Sequence, residues 1–339
     1  MFTTFVDKLS GLFDGRFLIA FWGPVFIATA LGSGLWVSQV GVSTASAWWD
    51  GQSSTQQWMT GLAVLLVITI LAFVLQALTT PLVRLYEGYW PNWLGWLQRW
   101  CASAEKDHRQ KLLQNEQWRA AFYGYPSDEQ FVRATRLGNT MTAAEEYSYF
   151  IYRADAIIWW PRLSVLLPEP LRSQIDAAFT PVVALLNLCT VFFLWAVIGA
   201  GWLVISTSAA WLFALVFAGG LLAAWTCYRA AITQAEAYGD LIRAAFDLHR
   251  RDLLAKLDMS LPDNLVDEQR LWIKLGRLHY YRTFPWVPLH EPAPAPLPDD
   301  PLYYDTHKPP SPAPIAKPQT LNVTLQGTPT VVVRQKGEH

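Results

Sequence analysis

Four stretches of the chain are apolar on every helical face and contain no Asp, Glu, Lys, Arg or His: residues 17–37, 58–78, 182–205 and 209–228. Each matches the length of about 20 residues that a helix needs to cross a hydrocarbon layer. A buried soluble helix would account for one such run. Four of them, each nearly free of polar residues, predict transmembrane helices instead.

The patterning between and after these runs predicts further helices. Trp93, Trp96, Leu97 and Trp100 recur at helical spacing, as in a short helix lying in the headgroup layer with its apolar side toward lipid. The competing reading is a helix that packs on the soluble part. Near residue 126, Ser127 followed by Gln130 predicts a capping box, and Phe131, Ala134, Leu137, Met141 and Ala144 follow at helical spacing. Residues 157–170 are apolar and interrupted by prolines, which predicts a buried loop or a return toward the membrane surface. From 211 to 257 no strong breaker appears beyond Gly219-Gly220 and Gly239, so the fourth run should continue as one long helix. Tyr238, Leu241, Ala245, Phe246, His249, Leu253 and Leu257 give that helix a largely apolar stripe, suited to packing on the central segment. Another short helix follows Pro262-Asp263 through Trp272 and Leu278.

The last part reads differently. Residues 285–318 hold twelve prolines, which predicts an extended linker rather than a packed unit. In 319–339, Leu321, Val323 and Leu325 alternate with Thr320, Asn322 and Thr324, the two-residue period of a strand. Gln326-Gly327-Thr328-Pro329 is the expected turn of a hairpin-like element.

Basic residues set the expected orientation. The connection 38–57 has no Lys or Arg, whereas 81–178 carries eleven, and Arg229, Arg243, Arg250, Arg251 and Lys256 follow the fourth run. Both termini and the central segment are therefore expected in the cytoplasm. The fold class is an all-α integral membrane protein with four transmembrane helices in two hairpins, a helical cytoplasmic domain and a short C-terminal β element. The divisions are a cytoplasmic N-terminus (1–16), a first transmembrane hairpin (17–80) and a cytoplasmic helical region (81–181). A second hairpin (182–228), a second cytoplasmic helical region (229–284), the Pro-rich linker (285–318) and the tail (319–339) complete them. Lys8 and Arg16 ahead of Ala28-Thr29-Ala30 resemble a signal peptide with its cleavage site. The run continues past that site, and Asp7 and Asp14 interrupt the basic region, so an uncleaved helix is expected.

Composition sharpens this picture. Apolar residues make up 52% and charged residues 16% of 339, and there are 18 tryptophans, a residue that concentrates at membrane interfaces. A formal charge of −1 gives no electrostatic footprint for nucleic acid. The partners expected are the lipid bilayer, further copies in a homo-oligomer, and a protein captured by the C-terminal tail. Cys101, Cys189 and Cys227 are far apart and read as free thiols.

No phosphate-binding glycine loop, GxSxG, HExxH or CxxC occurs, and the six histidines have no helical metal spacing. No cofactor, metal or catalytic residue is therefore assigned. The spans hold no ionisable group of the kind that ion-coupled transport places there. Gln76 and Asn187 are expected to bond between helices, and Gly32-Ser33-Gly34, Gly199 with Gly201, and Gly219-Gly220 permit close helix contact. The candidate site is a polar cluster beside the membrane: Arg84, Glu87, Glu145, Glu146, Arg153 and Asp155. Its adjacent carboxylates suit acid–base chemistry or a divalent cation. The balance of eleven basic against eleven acidic residues in 81–178 favours carboxylates paired with arginines in a structural role.

RLYEGYWP (84–91), LGNTMTAAEEY (137–147) and DAIIWWPRLSVLLPE (155–169) resemble segments of a family of uncharacterised multi-pass bacterial membrane proteins. The resemblance runs from the second span to the third. It implies a bacterial cytoplasmic membrane and carries no activity and no functional residues. The expected function is an oligomeric membrane scaffold that recruits partners. The alternatives are a small channel or transporter subunit and a membrane-bound enzyme using the carboxylates near the membrane.

Overall fold

A computed structural model describes residues 15–206 and 210–281, where all regular elements are helical. The Pro-rich segment 285–318 and the β element expected in 319–339 lie outside the described residues. The helices are α1 (Gly15–Val40), α2 (Val42–Asp50), α3 (Ser54–Ala77), α4 (Thr79–Tyr86), α5 (Gly95–Gln114) and α6 (Trp118–Gly124). They continue as α7 (Arg136–Tyr152), α8 (Ala156–Leu166), α9 (Glu169–Ile205), α10 (Ala210–Lys256) and α11 (Leu265–Tyr281).

Four of these, α1, α3, α9 and α10, are long and apolar enough to cross a membrane, and each contains, to within a residue at one end, one of the four apolar runs. Their ends are set by local chemistry rather than by apolarity. Helix α3 starts four residues before its run because Ser53 and Gln56 form a reciprocal capping box. Helix α9 starts at Glu169-Pro170, where an acidic residue and a proline suit the first turn. Helix α10 passes through Gly239 unbroken for 47 residues, about 70 Å at 1.5 Å per residue.

Helices α9 and α10 lie side by side and form the axis of the fold. Gly220 makes that approach possible: a Cβ there would sit 2.7 Å from the Ala196 Cβ and 3.1 Å from the Phe192 carbonyl oxygen. Gly199 is similarly close to Val216 and Leu35. Gly32, Gly34, Gly201 and Gly219 have no such neighbour among the described residues. Two π turns, Leu18–Trp22 in α1 and Trp195–Gly199 in α9, interrupt the regular ladder. At the first, Asn187 Nδ2 donates to the Ala20 carbonyl at 2.7 Å, the bond between helices expected of Asn187. Gln76 is exposed and makes no such bond among the described residues. Around the same turn Phe17, Val25, Ile68 and Ala72 join α1 to α3.

Beyond the spans, the end of α7, α8, the start of α9, the far half of α10 and α11 share one apolar core. Ala245, Phe246 and Leu253 of the α10 stripe are buried in it, with Tyr238, Leu241 and Leu257 packed against it. Trp159 stands edge-on to Trp272 at 5.1 Å and to His279 at 4.7 Å.

Three local expectations are corrected. The box at Ser127 does not form. Asp128 accepts from the Gln130 N–H and caps only a 3-10 turn, Glu129–Phe131, and α7 starts at Arg136, where Thr135 accepts from Gly138 N–H. Residues 156–166 are a helix rather than a loop. Asp155 caps it, and the carbonyl that Pro161 leaves without an i→i−4 partner belongs to the exposed Ile157. The Trp-rich helix is longer than expected and reaches Gln114. Trp93, in a 3-10 turn just before it, and Trp96 and Trp100 within it are 75%, 65% and 68% exposed, so most of each side chain faces away from the described protein.

The glycine contact yields a paired prediction. Gly220→Ala should destabilise the protein in detergent by about 1–3 kcal/mol through overpacking, while Gly219→Ala, one residue away, should leave the melting temperature unchanged or higher. Equal melting temperatures for the two variants would contradict the close α9–α10 approach.

Candidate functional site

The polar region beside the spans is built on the start of α7. Gly138 lies so close to the turn after α4 that a Cβ would fall 2.1 Å from the Glu87 carbonyl oxygen. This contact sets Glu87 against α7. Asn139, fully buried, fixes the adjoining extended segment: its Oδ1 accepts from Arg133 N–H at 2.6 Å and its Nδ2 donates to the Arg133 carbonyl at 3.2 Å. Arg133 is thereby held among Glu87, Glu145 and Glu146, and it acts electrostatically on all three.

The structure brings most of the expected cluster together. Burial, followed by the Glu145 carboxylate, pushes Glu87 up to about 7, against the pull of Arg133 and Arg84. Burial and then Asp128 push Glu146 up to about 7, opposed by its bond with the Ser127 backbone and by Arg133. Glu145 is also raised, by burial first, with Arg133 opposing the shift and Asp155 adding to it. Part of the Glu145 side chain is still open to solvent, so water limits the size of that shift. Arg153 is not among the charges acting on these three glutamates. It lies over the Tyr149 ring and closes α7 in the left-handed conformation, φ 61°.

The expected carboxylate–arginine pairs do not form. Among the described residues no ion pair joins Glu87, Glu145 or Glu146 to an arginine. The guanidinium groups face aromatic rings instead: Arg133 lies 4.6 Å from the Tyr89 centroid and Arg136 4.2 Å from that of Tyr125. Such contacts hold a cation without a counter-ion. With no cation in direct contact, the effect of burial on the glutamates is only partly offset.

A second network was not singled out in the sequence, because its members lie 100 residues apart. Asp247 on α10 accepts from Tyr147 at 3.0 Å and from Tyr152 at 2.7 Å. Burial, then these bonds to a carboxylate, raises both phenols. Arg250 pairs with Glu268 of α11 at 2.8 Å and covers the Tyr152 ring at 3.9 Å. Arg243, buried, pairs with Asp240 at 2.8 Å and faces Phe122 and Tyr123.

Glu145 also lines a cavity of about 170 Å³ with Met141, Trp160, Tyr238 and Ile242. That volume is below the roughly 300–1,000 Å³ of small-molecule sites. Among the described residues no three His, Cys, Asp or Glu side chains gather as a metal site, and the three cysteines are free thiols. The arrangement can take up and release protons near neutral pH. Comparison with family models, with curated proteins and with solved structures finds no match to this chain.

The raised carboxyls give a pH prediction with a defined sign. The folded protein keeps protons on Glu87 and Glu146 up to about 7, whereas ordinary carboxyls lose them near 4.5. Stability should therefore fall as pH rises between those values and level off above them. Glu146→Gln should flatten part of that slope and raise stability at pH 8 by about 1 kcal/mol or less, given partial solvent screening. Melting curves from pH 5 to 8 check this, and stability that rises across the window would contradict it.

Proposed function

We propose that this chain is a multi-pass protein of the bacterial cytoplasmic membrane that serves as an oligomeric scaffold. It holds a rigid helical domain at the inner membrane face and recruits partners through its C-terminal tail. In this reading α1 with α3 and α9 with α10 form two transmembrane hairpins, with both termini in the cytoplasm. The basic residues of 81–178 and those following residue 228 support this orientation. Trp93, Trp96 and Trp100, all largely exposed, then rest in the headgroup layer.

The observation that carries the scaffold reading is the continuity of α10. One unbroken helix supplies both a membrane-crossing segment and the buried face of the extramembrane core. Such a helix fixes the position of a domain relative to the bilayer and leaves no hinge between them. The open surfaces at Gly32, Gly34, Gly201 and Gly219 are where a second copy can approach closely. The channel or transporter reading has less support, since the four apolar runs hold no ionisable side chain.

Orientation is tested by cysteine labelling in intact cells with an impermeant maleimide. Asp50→Cys should label at once, and Arg251→Cys only after permeabilisation. The opposite pattern would reverse the topology. The scaffold role is tested by deleting 319–339. Membrane insertion should persist while complex size or the set of co-purifying proteins is reduced. An unchanged complex with unchanged co-purifying proteins would remove the tail from the proposal.

A further inference from the structure

A second, larger recess lies where α1 and the apolar part of α9 begin. It measures about 440 Å³, and its polar lining includes Arg16, Arg172, Asp176, Ser164 and Thr180. Leu167, Ile175 and Phe179 form an apolar wall beside them. We propose that this recess binds the headgroup of an anionic phospholipid. Its phosphodiester faces Arg16 and Arg172, and the first part of its acyl chains lies along the apolar wall.

Position, charge and surroundings support the assignment. Arg16 directly precedes the apolar run 17–37, and Thr180 lies two residues before the run 182–205. If those runs cross a membrane, the recess sits at headgroup depth. Its lining holds two guanidinium groups against one carboxylate. Asp176 is paired with Arg16 at 3.4 Å, and the exposed Arg172 makes no ion pair among the described residues, so the described lining carries one guanidinium in excess of its carboxylate. Helix α8, which contributes Trp160 and Ser164 to the lining, exposes Ile157 and Val165 at 74% and 70%. An outward apolar face beside a basic recess is what a helix lying on a bilayer surface presents. Free phosphate shares the oxyanion chemistry, but it would have no use for the apolar wall. The proposal requires only that the apolar runs cross a membrane. It is independent of the scaffold role and of which face is cytoplasmic.

The test uses the full chain, stripped of lipid in a neutral detergent, with lipid retention measured by native mass spectrometry and thermal melting. Phosphatidylglycerol should bind and raise the melting temperature more than phosphatidylcholine does. Arg172→Ala should weaken phosphatidylglycerol binding about tenfold, the loss expected for one charge-assisted contact. Arg172 is exposed, so this variant should fold, and Arg172→Gln should behave alike. Arg162→Ala, which removes an exposed arginine of α8 outside the recess, should bind as the parent does. Equal binding of phosphatidylcholine would overturn the proposal, as would full binding by both Arg172 variants. Displacement by inorganic phosphate or soluble glycerophosphoglycerol at matched concentration would also overturn it, because the site would then read phosphate rather than lipid.

Discussion

Helix α10 is continuous through two kinds of surroundings, and the rest of the structure follows from that constraint. Its first half carries Leu, Ala, Phe and Trp around its whole circumference. From Arg229 onward one stripe stays apolar and the other positions become charged. The apolar side chains of the first half suit lipid wherever they do not pack on α9, but those of the stripe beyond it need a protein partner to leave water. Helices α7, α8 and α11 and the start of α9 supply that partner. Gly220 in one half and Gly239, whose added Cβ would lie 3.0 Å from the Ala144 Cβ, in the other let neighbours approach without bending the helix.

The charged groups follow from the same packing. Where α4, α6 and α7 meet α10, space is shared between arginines and tyrosines, and several guanidinium groups lie over rings. A carboxylate without a cation in contact is costly to ionise when buried. Glu87 and Glu146 therefore hold protons near neutrality, while Glu268, in contact with Arg250, ties α11 to α10. Neighbouring acidic residues thus play different parts according to what the arginines face.

Much of the fold was legible in the sequence. The four apolar runs, the extension of α10 past Gly239 and its stripe all appear as periodicity, which is a local property. The failures were of two kinds. Around Ser127 and Pro161, competing local signals decided the outcome: the Asp128 carboxylate capped in place of the Ser127 hydroxyl, and a helix with an exposed face tolerated its proline. In the polar cluster the decisive facts were nonlocal. Glu87 reaches Glu145 because Gly138 lets two backbones touch, and Asp247 meets Tyr147 across 100 residues. No spacing rule along one chain encodes either contact. The expected arginine pairing failed for a related reason, since the balance of charges says nothing about which rings stand nearby.

The central claim is that the membrane-crossing and extramembrane parts of α10 form one rigid element. Hydrogen exchange of the full chain in lipid nanodiscs tests it most directly. The account predicts slow exchange without interruption from about Ala224 through Leu254, with no faster peptide at Gly239. A fast-exchanging break near Gly239, separating two protected blocks, would contradict it.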